Sequence, residues 1–298
     1  LIGVRQCKDD ADKIDTQYEF LRQLSADSSN TVIGTARTPS KVEEQIKKDN
    51  LAPAKNIKIF AADLDKHQSI FNVASEIATA GHKSIDYLVI NGGFVSEATG
   101  GTTPTAFQGQ EDLFERELTQ SILTNTIGPL HTINAFLPLV RAGRAKTIIV
   151  ISTGLADNEF TKLSGIAASV PYTISKAGTN VVVAKFAAEL KSEDISVVAL
   201  SPGLVNTDKV CHQVRNATMS NRFADTWQDS GYMAAIAEAM KPYEPEFRGA
   251  ITPEQSVGAM LKVIGNDSLI KESNGTMISH LGNQRWISAD GRGDEVEI

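Results

Sequence analysis

Lys146-Thr147-Ile148-Ile149-Val150-Ile151-Ser152 is an unbroken run of mostly β-branched apolar residues between a cation and a hydroxyl. It does not alternate with polar residues, so both of its faces need cover, which places it inside a parallel sheet. Four other runs share this character, at Thr31 to Ala36, Ile57 to Ala61, Ile85 to Ile90 and Ile195 to Leu200. Helical patterns lie between them at Ser40 to Lys48, His67 to Ala80, Leu113 to Leu139 and Tyr172 to Lys191. A further helix, Thr16 to Leu24, precedes the first clear strand and sets Phe20, Leu21 and Leu24 on one face. Strands alternating with helices, joined by right-handed crossovers, predict an α/β fold with a doubly wound parallel sheet.

The chain has 298 residues, 29 basic and 36 acidic, with a net charge of −7 and 41% hydrophobic residues. That is ample to bury a core without disulfides. No repeat or linker divides it, so residues 1–298 read as one domain. An acidic balance does not favour a phosphate backbone, which argues against nucleic acid as a partner. No apolar run approaches the roughly 18 to 20 residues that span a bilayer. Cys7 and Cys211 are too few for a disulfide framework, and the five histidines show no ligand spacing, so no metal is assigned. Without a basic segment leading into an apolar one at the N-terminus, the expected compartment is the cytoplasm.

Tyr172-Thr173-Ile174-Ser175-Lys176 sets a phenol and an ammonium four residues apart, on one helix face. A cation there favours the phenolate and lowers the phenol from its ordinary value of about 10, so the hydroxyl can exchange a proton near neutral pH. Such a tyrosine can protonate a carbonyl oxygen as hydride arrives, or deprotonate an alcohol in reverse. The spacing alone is a weak signal; its surroundings carry the weight. Ile149-Val150-Ile151-Ser152-Thr153-Gly154 ends a strand upstream, and Ser201-Pro202-Gly203-Leu204-Val205-Asn206-Thr207 ends one downstream. Asn91-Gly92-Gly93 follows the Ile85 strand, and Asn125 sits in Leu123-Thr124-Asn125-Thr126-Ile127-Gly128-Pro129.

In this order the motifs resemble the short-chain dehydrogenase/reductase family, from about residue 16 through Trp286 to the C-terminus. The resemblance implies a Rossmann-like fold, with Tyr172 as general acid/base, Lys176 as its electrostatic partner and ribose ligand, and Asn125 as anchor of a water in the proton relay. The family pattern ends its strand with two serines. Here the pair is Ser152-Thr153, and either hydroxyl can orient the substrate carbonyl. Asn91, Gly92 and Gly93 match the cofactor-side turn, Asp63 the adenine contact, and Pro202, Gly203 and Thr207 the nicotinamide-side loop. At the end of the second strand Ala36-Arg37 replaces the acidic residue that would hold adenosine hydroxyls. An arginine there pairs with a ribose phosphate, so the implied cofactor is NADP(H).

One departure is serious. The family's Gly-rich phosphate loop is absent, and Asp10-Ala11-Asp12-Lys13-Ile14-Asp15-Thr16-Gln17 stands in its place. Glycines permit close backbone approach to pyrophosphate at a helix N-terminus, whereas three aspartates repel it. The central first strand is also missing as a clear run. Either Leu1-Ile2-Gly3-Val4 is a short version of it, or the N-terminal segment is an altered form of an intact reductase.

The expected function is NADPH-dependent reduction of a ketone or aldehyde, or oxidation of the corresponding alcohol. Residues 206–252, with Met219, Phe223, Trp227, Tyr232, Met233, Met240, Tyr243 and Phe247, read as a helical lid over a bulky apolar small molecule. The alternative, motivated by the acidic segment, is a cofactor-independent non-redox enzyme or a binding protein on the same fold. Family members commonly pair through the two long helices, so the resemblance implies a homodimer or homotetramer.

Overall fold

The computed structural model describes residues 2–3, 16–51, 56–206, 240–245, 247 and 249–287. The elements run β1 (Ile2–Gly3), α1 (Thr16–Ser25), β2 (Val32–Ala36), α2 (Pro39–Lys48), β3 (Ile57–Ala61), α3 (His67–Thr79), β4 (Tyr87–Ile90), α4 (Glu111–Ile122), α5 (Gly128–Arg141), β5 (Thr147–Ile151), α6 (Asn158–Ser164), α7 (Val170–Leu190), β6 (Ser196–Ser201), α8 (Pro253–Ile264), α9 (Asp267–Glu272) and β7 (Met277–Ser279). The seven strands form one parallel sheet in the order β3-β2-β1-β4-β5-β6-β7. Strand order reverses beside β1, the switch point at which open α/β sheets bind ligands. The central slot is filled by β1: Ile2 pairs with Gly34 of β2 and with Val89 of β4.

The Thr147–Ile151 run is buried along its whole length because the sheet is covered on both sides. Ile148 and Val150 pack with Ile77, Ile133, Phe136 and Val183 from α3, α5 and α7. Ile149 and Ile151 point the other way, into Phe20, Leu21, Val257 and Met260 from α1 and α8. Each such side chain contributes roughly 1.5–3 kcal/mol by leaving water, which ties the strand to the sheet centre and its C-terminal end to the site. No helix among the described residues is long and apolar enough to cross a membrane.

The expected single helix from Leu113 to Leu139 is corrected. Residues Leu123–Ile127 form a π segment between α4 and α5, with the amide of Gly128 donating to the carbonyl of Leu123 five residues back. Pro129 explains the break, since it has no N–H to offer the carbonyl of Asn125 in an α-helical register. Of the lid residues, Met240 and Phe247 are buried in a small cluster with Phe160, Trp286 and Ile287, and Tyr243 packs against it. Met219, Phe223, Trp227, Tyr232, Met233 and Thr207 lie outside the described residues.

Candidate active site

The C-terminal edges of β4, β5 and β6 open into a cavity of about 390 Å³, and α7 forms one side of it. Asn91, Ser152, Thr153, Tyr172, Lys176, Pro202 and Gly203 line this space together, so the structure gathers most of the residues singled out from sequence. Helix α7 reaches it because Pro171 sits in the first turn, where a missing N–H costs nothing. Ser169 precedes the helix in the left-handed region, with φ of 64°, and donates its hydroxyl to the carbonyl of Gly100. A non-glycine residue held at positive φ beside a cavity is strain retained by its surroundings.

The two adjacent hydroxyls face different partners. Thr153 acts on the Tyr172 phenol, whose pKa its hydroxyl lowers. Ser152 donates to Asn180 Oδ1 at 2.7 Å and is itself buried. Neighbouring residues of an extended chain point to opposite sides, which is why only one of them meets Tyr172.

The electrostatics reverse one expectation. Burial pushes the Tyr172 phenol up to about 12, opposed by the Thr153 hydroxyl. Burial also pushes the Lys176 ammonium down to about 8, and its Nζ donates to the carbonyl of Ile151 at 2.6 Å. Desolvation is the largest cause at both groups, and the lysine is turned to the strand end.

Asn125 is fully buried within the π segment. Its Oδ1 accepts from the amide of Phe94 at 2.7 Å, and its Nδ2 donates to the Phe94 carbonyl and to Ser175 Oγ. Ser175 in turn donates to the carbonyl of Tyr172 at 2.6 Å, so a polar chain runs from the loop after β4 to the helix that carries the phenol. The water-anchor role expected for Asn125 would fall to its backbone carbonyl, where the Thr179 hydroxyl already donates at 2.6 Å.

Towards β1, the backbone carbonyl of Asn91 accepts from Gln17 Nε2 at 3.1 Å, while the Asn91 side-chain Nδ2 is buried with no partner among the described residues. A Cβ on Gly93 would lie 3.4 Å from Asn125 Oδ1 and 3.7 Å from Lys176 Nζ, in ordinary van der Waals contact with both. A Cβ on Gly92 would meet Leu64 at 2.2 Å. Gly203 has φ of 82° and backs onto His280, which would lie 2.7 Å from any added Cβ. Asp63 follows β3 with an ion pair to Lys66 at 3.5 Å. Arg37 is exposed just beyond β2. These two do not line the cavity but stand on the same carboxyl edge of the sheet.

Sequence reasoning missed several wall residues. Gln17 of α1, Leu155, Phe160 of α6, Ile166 and Trp286 all line the cavity. Asp157 before Asn158-Glu159 is a helix-start signal, and its side chain does cap α6 through the amides of Glu159 and Phe160. Its link to Trp286, 129 residues away, has no local signal.

A sheet reversing at β1, with a phenol, an ammonium, paired hydroxyls and a buried asparagine at its carboxyl edge, defines a doubly wound α/β oxidoreductase. Residues 18–217 match the short chain dehydrogenase family. The chain belongs to the short-chain dehydrogenase/reductase family. Among its relatives are the short chain dehydrogenase virK of Hypocrea virens, 31% identical over 270 residues that span 91% of this chain and 95% of that one, and the short-chain dehydrogenase/reductase AacuF of Aspergillus aculeatus, 32% identical over 271 residues with the same shares, 91% and 95%. Among solved structures, the NADPH-bound carbonyl reductase from chicken fatty liver shares the fold with a TM-score of 0.65 at 22% identity, over 90% of this chain and 93% of that one. The RhlG/NADP active-site complex of Pseudomonas aeruginosa gives a TM-score of 0.65 at 17% identity, over 89% and 90% of the two chains.

Proposed function

We propose that the chain reduces a ketone or aldehyde with NADPH, or oxidises the corresponding alcohol with NADP, acting on a bulky apolar small molecule. The observation that carries this reading is that the Tyr172 phenol and the Thr153 hydroxyl share one cavity, which Leu155, Phe160, Ile166 and Trp286 also line. A site built for a charged substrate would present cations or anions on that wall.

The residues present fit a dinucleotide. The buried Nδ2 of Asn91, without a partner among the described residues, is a provision for a polar group beside β4. NADP(H), when bound, supplies or accepts the hydride. Tyr172 Oη gives its proton to the carbonyl oxygen in reduction and takes it from the alcohol in oxidation, while Thr153 orients that oxygen. Lys176 supplies the cation beside Tyr172 and the donor for ribose, and Asn125 holds the relay in place. Asn91, Gly92 and Gly93 would hold the cofactor beside β4, Asp63 would contact its adenine, and Pro202 and Gly203 would lie on its nicotinamide side. Arg37 at the end of β2 meets a ribose phosphate, which favours NADP(H) over NAD(H). The carbonyl reductase and RhlG structures are described with NADPH and NADP respectively, which supports the same choice. Ile127, Ile174 and Val181 expose apolar side chains on the long-helix side, consistent with pairing into a homodimer or homotetramer.

The test is calorimetric titration of the full chain with NADPH and NADH, followed by turnover of carbonyl compounds in the wild type and Tyr172→Phe. The expected outcome is tighter binding of NADPH, with nucleotide binding kept and turnover lost by about 10²–10⁴-fold in the variant. Binding of neither nucleotide would leave the cofactor-independent enzyme or binding protein as the reading, with Asp10, Asp12 and Asp15 the reason.

A further inference from the structure

Gln17 stands in the first turn of α1, the helix that follows β1 in the chain, and Asn91 follows β4, the strand beside β1. The Gln17 Nε2 donates to the backbone carbonyl of Asn91 at 3.1 Å. One hydrogen bond thus spans the crevice between the two halves of the sheet, the place where open α/β sheets receive ligands. Gln17 is 8% exposed and lines the same cavity as Asn91, Gly93 and Lys176. The helix that carries it is held in place: Phe20 and Leu21 are fully buried, the Arg22 guanidinium donates to Glu254 Oε1 of α8 at 3.1 Å, and Gln23 Nε2 donates to the Glu254 carbonyl at 3.0 Å. The part that can move is the glutamine side chain, whose torsions hop between staggered wells.

We propose that Gln17 is a gate on the cofactor side of the cavity: latched to Asn91 it closes the crevice, and a dinucleotide binds only to molecules in which the latch is open. The proposal rests on the reading that this cavity takes NADP(H). In the latched form Gln17 holds the Asn91 carbonyl, while the Asn91 Nδ2 is buried without a partner among the described residues. A ligand that brings an oxygen to that Nδ2 and a hydroxyl to that carbonyl replaces the latch with contacts of the same kind. The hydrogen bond makes the open form a minor state, and the apparent affinity falls by the open fraction. With about one molecule in ten open, NADPH binds about tenfold more weakly than the open site allows.

The experiment measures NADPH binding to the full chain by calorimetry and stopped-flow fluorescence, and urea unfolding without nucleotide, in the wild type, Gln17→Ala and Gln17→Met. For Gln17→Ala the expected result is a Kd for NADPH about tenfold lower, together with a lower urea midpoint, because the variant loses the latch that steadies the empty chain. The gain in affinity should lie in the association rate with dissociation unchanged, since the gate acts on the empty site. Gln17→Met keeps the length but cannot donate; it should show the same two changes at smaller size, and it guards against an alanine variant that does not fold. Binding that is unchanged or weaker in both variants would make Gln17 a structural residue and overturn the gate, with NADPH still the cofactor. A gain confined to the dissociation rate would mean that Gln17 crowds the bound nucleotide, which also overturns it. Tighter binding without turnover of any carbonyl compound would uphold the gate and sink the redox reading, whereas no NADPH binding by any of the three chains would overturn both.

Discussion

The hydroxyl of Thr179 on α7 donates to the backbone carbonyl of Asn125 at 2.6 Å, closer than its contact with the Ser175 carbonyl at 3.0 Å. Pro129 withholds the N–H that an α-helix would bring to that carbonyl, and α7 replaces it from outside. The close approach is helped by Gly178, where a Cβ would lie 3.0 Å from Thr126 Oγ1. The π segment is thus held by the helix that carries the phenol, and the two can be expected to shift together.

Thr179→Val keeps the shape of the side chain but strips the carbonyl of its donor. A buried acceptor left unpaired costs about 1–3 kcal/mol, so urea unfolding should show a lowered midpoint at unchanged slope. Thr179→Ser, which keeps the hydroxyl, should recover most of the loss. A valine variant as stable as the wild type would remove this bond from the account of Asn125.

The two hydroxyls at the end of β5 should separate cleanly. Thr153→Ala is expected to lower kcat by about 10²-fold, with Thr153→Ser close to wild type, because the role belongs to the hydroxyl beside Tyr172. Ser152→Ala removes the donor to Asn180 and should cost about 1 kcal/mol of stability while leaving kcat within about tenfold. Steady-state kinetics with one carbonyl substrate suffices, and equal losses in kcat would contradict the assignment to Thr153.

These contrasts mark where the sequence was readable and where it was not. The run at β5 announced a strand covered on both sides, and Ile148 and Ile149 do face opposite cores. Tyr172 and Lys176 were legible because a fixed helical spacing puts them on one face. The break at Asn125 was hidden under an apolar pattern continuous across α4 and α5, although Pro129 in the quoted motif was its signal. The choice between Ser152 and Thr153 depends on which way the chain leaves the sheet, a matter of register rather than composition. The direction of the Tyr172 shift depends on a contest between burial and charge, and only the geometry weighs the two. Trp286 and Asp157 meet across the chain, beyond any local pattern.

In the proposed function Arg37 carries the cofactor preference. Charge-assisted bonds to a phosphate contribute about 1.5–3 kcal/mol, so Arg37→Ala should weaken NADPH by roughly 10- to 100-fold and leave NADH nearly unchanged. Because Arg37 is exposed, the NADPH effect should shrink as salt rises. Calorimetry at low and high ionic strength reads both. Equal weakening of the two nucleotides would detach Arg37 from the phosphate.

Lys176 makes stability depend on pH in a direction that can be worked out. Burial holds its ammonium at about 8 in the folded chain, below the ordinary 10.5. Between these values the unfolded chain binds more protons than the folded one, so this residue makes folding more favourable as pH rises through that window. Tyr172 acts oppositely: its phenol stays protonated up to about 12 in the fold against an ordinary 10, so its contribution falls as pH climbs from 10 to 12. Replacing Lys176 by Met removes the first effect alone, and the other titrating groups cancel between the two proteins. The wild type should therefore gain about 2 kcal/mol on Lys176→Met between about pH 8 and 10, read from urea midpoints at each pH. A difference that stays flat would mean the Ile151 carbonyl holds the ammonium charged within the fold. Lys176 would then be a standing cation for Tyr172 at every working pH, and the phenol would be easier to ionise than burial alone allows.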